Sequence, residues 1–113
     1  MGLRASEWVA YLPLDRCPRA SARAVLSILA VRSTDPGYAA YPSITTMADA
    51  LGASRRTIQR CIADLIAEGL IRPGDQAATR NLRHDRRPVV YDVLTPELLR
   101  DEERKIARAR GVA

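Results

Sequence analysis

Apolar residues recur along this chain at intervals of three and four in successive stretches separated by proline, glycine and polar residues, a pattern that predicts a mainly helical fold. The first stretch, Ser6 to Leu12, predicts a short helix with Trp8, Val9 and Leu12 inward, followed by a proline-rich break from Pro13 to Pro18. A longer helix, from Pro18 or Ala20 to Arg32, is expected to bury Ala24, Val25, Ile28 and Leu29. Its outward Arg19 and Arg23 are placed where they could touch a polyanion. Thr34-Asp35-Pro36-Gly37 reads as a turn, and Tyr38 to Pro42 as an extended approach to the next helix.

The stretch Ser43 to Ile71 carries most of the chemistry. Ser43 is expected to cap a helix over Ile44 to Leu51, with Ile44, Met47, Ala48 and Leu51 on its inner face. Gly52 follows where a left-handed turn is needed, and the small Ala48 permits a close helix crossing. Ser54 then caps a second helix, 55–68, with Ile58, Cys61, Ile62 and Leu65 as its buried stripe. The opposite face presents Arg55, Arg56, Gln59, Arg60 and Ala63, with no acid before Asp64. A helical hairpin of purely structural role would usually mix charge signs there. Arginine can fork onto guanine O6 and N7, glutamine onto adenine, and an arginine that meets no base can hold phosphate.

Glu68-Gly69-Leu70-Ile71 ends this helix and opens a strand, and Val89 to Leu94 is rich in strand formers able to pair with it. The connection between them, 74–88, carries Arg80, Arg83, Arg86 and Arg87 with Asn81 and His84. Those arginines could reach phosphates or a narrow minor groove. Thr95-Pro96-Glu97 starts a last helix running to about Arg110, with Leu98, Leu99 and Ile106 too sparse for a coiled coil.

On these residues the chain, from about Ala20 to Leu94, resembles the winged helix-turn-helix domains of bacterial, plasmid and phage DNA-binding proteins. The resemblance implies a mainly α fold with a small β-hairpin: a three-helix core plus a two-stranded wing, with extra N-terminal and C-terminal helices. One domain, 1–113, is expected, comprising an N-terminal extension at 1–17, a core at 18–94 with its wing at 70–94, and a C-terminal helix at 95–113. It further implies helix 55–68 in the major groove of double-stranded DNA and the basic wing, 74–88, on the backbone or minor groove. The DNA-binding set so implied is Ser54, Arg55, Arg56, Thr57, Gln59, Arg60, Arg80, Arg83, Arg86 and Arg87. A transcriptional regulator is favoured; the DNA-binding module of a phage or plasmid replication initiator and a winged-helix protein-interaction module are the alternatives. A homodimer is open, through the last helix or the Trp8 segment.

Composition narrows this picture. A chain of 113 residues is enough for one core, and with no Phe that core must be built from Leu, Ile, Val and Ala. Net charge is +5, and Lys105 is the single lysine, so the positive charge is nearly all arginine. Arginine and alanine bias can also reflect a GC-rich genome, so placement rather than number points to nucleic acid. Cys17 and Cys61 show no zinc or redox spacing, His84 has no second histidine, and the acids are scattered; no metal, no cofactor and no catalysis is expected. Neither a signal segment nor a membrane span is read, which makes a cytoplasmic protein the expectation.

Overall fold

The computed structural model describes residues 2–111; Met1, Val112 and Ala113, which the expected domain includes, lie outside the described residues. The element order is α1 (Leu3–Ala10), α2 (Ala20–Arg32), α3 (Ile44–Leu51), α4 (Arg55–Ala67), β1 (Ile71–Pro73), β2 (Tyr91–Val93) and α5 (Pro96–Ala109). Strands β1 and β2 pair antiparallel, with Ile71 opposite Val93 and Arg72 opposite Asp92. This is a winged helix: α2, α3 and α4 form the three-helix core and the hairpin its wing, with α1 and α5 added at the ends.

Helix α2 is the hub, packed by α1, α3, α4 and β2. Its buried residues are Ala22, Val25, Leu26, Leu29 and Ala30, whereas Ala24 and Ile28, expected inside, are half-buried. Neighbours on several sides, rather than one apolar stripe, decide which positions are covered. Helix α1 starts earlier than expected and buries Ala5 and Val9, with Trp8 half-buried at its edge and Leu12 buried beyond its end. Arg23 explains how α1 is held: its guanidinium donates to the carbonyls of Val9, Leu12 and Pro13, at 3.3, 2.6 and 3.1 Å. Val9 lies in the last turn of α1, and Leu12 and Pro13 follow the helix, so Arg23 ties both the helix end and the chain leaving it to α2. Arg23 is thus a brace and not the outward cation the sequence suggested.

Both helices of the turn motif are capped as their sequences dictate. Ser43 Oγ accepts from the Thr46 N–H at 3.0 Å, and Ser54 Oγ from the Thr57 N–H at 3.1 Å. Gly52 sits at φ 61°, ψ 33°, and Gly69 at φ 71°, the left-handed region that other residues enter at a cost. After Gly69 the chain closes α4 with Leu70 N–H donating to the Leu65 carbonyl and Gly69 N–H to that of Ile66, each at 3.0 Å. The stripe Ile58, Cys61, Ile62 and Leu65 is buried throughout. In α3, Met47 and Ala48 are buried and Ile44 is half-buried, but Leu51 is exposed, because the helix ends before its last turn reaches the core.

The sheet is shorter than the run Val89 to Leu94 suggests. Val89 is exposed, and Val90 is buried but lies before the strand. Tyr91 exchanges both backbone hydrogen bonds with Ala40, each at 2.8 Å, so the approach to α3 adds a single bridge to the wing. Asp92, buried at 5 % exposure, ties these segments together. It accepts from the Ala39 N–H and from Arg72 Nε, each at 3.0 Å, and Arg72 also donates to Glu102 of α5 at 2.9 Å. Burial alone would lower the Arg72 pKa; its bonds to Asp92 and Glu102 outweigh that and hold it above its usual value.

Candidate nucleic-acid interface

The outer face of α4 is open. Arg56, Gln59 and Arg60 are exposed, and their side chains make no hydrogen bond or ion pair among the described residues. Asp64, the first acid on that helix, is neutralised by Arg19 at 2.8 Å, which removes a repulsive charge near this face. Arg19 is therefore a partner of α4 rather than a free phosphate contact. Ser54 and Thr57 serve the helix itself, since the Ser54 hydroxyl also donates to Thr57 Oγ1 at 3.0 Å.

Arg55 differs from its neighbours. Its guanidinium donates to Thr45 Oγ1 at 3.1 Å, which draws it across to the first turn of α3. There it lines a cleft together with Ser43, Thr45, Arg86 and Arg87. Cation and helix N-terminus reinforce one another at this place, because the first N–H groups of α3 point outward with the positive end of its dipole. Thr45 was missed in the sequence, although a hydroxyl in the first turn of the first motif helix is a usable signal for an anion contact.

The wing connection is folded rather than loose. It contains two short 3₁₀ turns, Gln76–Thr79 and His84–Arg86, and buries Thr79. Gln76 bonds both to the Val90 N–H, through Oε1 at 2.9 Å, and to the Val90 carbonyl, through Nε2 at 3.0 Å. Arg87 turns back on the loop and donates to the carbonyls of Leu82 and Arg80, at 3.0 and 2.9 Å.

The four wing arginines are consequently divided. Arg86 faces the cleft beside α3 and α4, while Arg80 and Asn81 line a separate 720 Å³ cleft with Arg72 and Lys105, next to α5. Arg83 stands exposed, 3.5 Å from Asp85. Arg87 lines the first cleft but is committed mainly to the loop. The structure thus brings together Arg55 and Arg86 at one cleft, leaves Arg56, Gln59 and Arg60 free on α4, and sets Arg80 apart.

This geometry defines a winged helix-turn-helix. Residues 19–71 match the family described as a helix-turn-helix domain. The match points to DNA as the partner; it ends at the first residue of β1, so the wing and α5 lie beyond it. Neither the curated proteins nor the solved structures gave a match. Among the described residues no helix is long and apolar enough to cross a membrane, and no group of three or more His, Cys, Asp or Glu is placed to hold a metal ion.

Proposed function

We propose that the chain binds double-stranded DNA with sequence preference, α4 lying in the major groove and the wing on the backbone or in the minor groove, and that it acts by binding alone, without catalysis. The observation that carries this is the free outer face of α4: Arg56, Gln59 and Arg60 are exposed with no protein partner among the described residues. Arg56 and Arg60 are the base readers or inner phosphate contacts, Gln59 an adenine reader, and Arg55 with Arg86 a phosphate seat beside the α3 N-terminus.

Arg56→Ala and Arg60→Ala test the reading. Each is expected to lower affinity for the preferred duplex by about 1–3 kcal/mol if it meets a base, and to relax preference at one position. Unchanged affinity in both variants overturns it.

The role we favour is transcriptional regulation inside the cytoplasm, by occupying a site that polymerase needs. A replication-initiator module is the alternative, and a reporter placed behind the bound site separates the two from an origin-dependent replication assay. A protein-interaction role gains support from the N-terminal segment: Leu3, Tyr11 and Leu14 are exposed at 68, 83 and 73 %, and Tyr11 lines a shallow cleft with Trp8.

A further inference from the structure

The cleft between α3, α4 and the second half of the wing has a floor that DNA binding does not explain. Half-buried Ile44 and Tyr91 expose that floor over the covered core residues Met47 and Ile62, and the exposed Arg55 and Arg86 stand at its rim. A phosphate needs the guanidinium groups but gains nothing from apolar surface beneath them. The cleft measures 360 Å³, the size of a pocket for a small organic molecule rather than for a polymer strand (roughly 300–1,000 Å³). Burial raises the Tyr91 hydroxyl above its ordinary value, as expected for a floor with reduced access to water.

The rim charge is unbalanced. Among the described residues Asp85 is the one acid lining the cleft, and it lies 3.5 Å from Arg83. Among the described residues Arg86 makes no side-chain ion pair, and Arg55 is held only by the neutral Thr45 hydroxyl. A guanidinium fork without an acid matches a planar carboxylate in two parallel hydrogen bonds. Apolar floor and cationic rim together select a molecule with one apolar end and one anionic end.

The geometry points to this cleft as the binding site of a small amphipathic carboxylate, its ring or branched chain on the Ile44–Ile62–Tyr91 floor and its carboxylate at the Arg55–Arg86 rim. Because the same two arginines belong to the proposed DNA surface, such a molecule competes with the duplex. That second clause rests on the DNA-binding reading; the site itself does not.

The test uses the full chain without DNA and 2-naphthoate as the probe, followed by calorimetry and by amide chemical shifts. Acetate supplies charge without a ring, and 2-naphthalenemethanol a ring without charge. Saturable one-to-one binding is expected, with shifts grouped at Ile44, Ile62 and Tyr91. Affinity should fall about tenfold in Arg86→Gln and in Arg55→Gln, the loss expected of a charged hydrogen bond, and by a similar factor for the alcohol. Both arginines are on the surface, so thermal unfolding reports whether the variants stay folded. Absence of saturable binding, shifts centred on the Trp8 face, or equal affinity in folded variants overturns the site. Displacement of a labelled duplex by 2-naphthoate supports the competition. Binding to the cleft without displacement overturns the overlap with DNA while leaving the site, and a chain that binds the probe but no duplex defeats the DNA reading alone.

Discussion

Arginines read alike in the sequence do different work in this chain, and hydrogen-bond partners tell them apart. Arg23 donates to three carbonyls at the end of α1, Arg87 to two within the wing, and Arg56 and Arg60 to nothing among the described residues. Removing each should therefore fail in a different assay. Arg23→Ala is expected to cost about 1–3 kcal/mol of stability, since two part-buried carbonyls lose a charged donor, and urea unfolding checks it. A duplex-affinity loss at unchanged stability would return Arg23 to the DNA surface. Arg86→Ala should reduce the slope of log affinity against log salt by about 1 without loss of stability. Arg87→Ala should instead open the 74–88 segment to protease; a salt-slope change as large as that of Arg86→Ala, with protection intact, would contradict the division. None of this sorting was legible in the sequence, where all five residues are outward-placed cations. Periodicity tells which face a side chain leaves from, not which carbonyl lies within its reach.

At the scale of elements, capping and glycine chemistry made α3, α4 and their junction legible, because a cap acts within one turn. The wing and α1 were less legible because their shape depends on distant groups. Tyr91 pairs with Ala40, Gln76 with Val90, and Asp92 with Arg72 and the Ala39 N–H, contacts that no local pattern announces.

Helix α5 is attached in the same non-local way. Leu98 is buried, Tyr38 donates to Asp101 at 2.7 Å, and Arg72 reaches Glu102. The Tyr38 hydrogen bond, first, and nearby cations hold Asp101 and Glu102 below their ordinary 3.8 and 4.5, while burial and then the Asp101 bond raise Tyr38 above 10.0. Carboxylates with depressed values contribute fully above the unfolded values and lose their contribution as pH falls through the folded ones. The raised tyrosine contributes fully below 10.0 and loses its contribution as pH rises through its folded value. Amide protection across α5, corrected for intrinsic exchange, should thus be flat from about pH 5 to 9 and fall toward about pH 3. Tyr38→Phe should lower the plateau. Protection unchanged down to that acidity would show that α5 is held by Leu98 alone.

For the whole molecule, the described residues place charge unevenly. Arg55 and Arg86 gather at the cleft beside the α3 N-terminus, the N-terminal segment exposes the apolar Leu3, Tyr11 and Leu14, and α5 couples to the sheet through Glu102. The winged architecture was readable because it needs only the order and polarity of helices, the glycine that ends α4 and two strand-forming segments. The division of the wing between two clefts was not, since it follows from how a loop of fifteen residues, 74–88, folds on itself. The most direct measurement is a fluorescence-anisotropy titration against random duplex and against a selected-sequence pool across a salt series. The account predicts tight binding, a steep negative salt slope and enrichment of a motif, with a palindrome reporting a paired protein. Weak binding without a motif, equal for both duplexes and flat in salt, would contradict it.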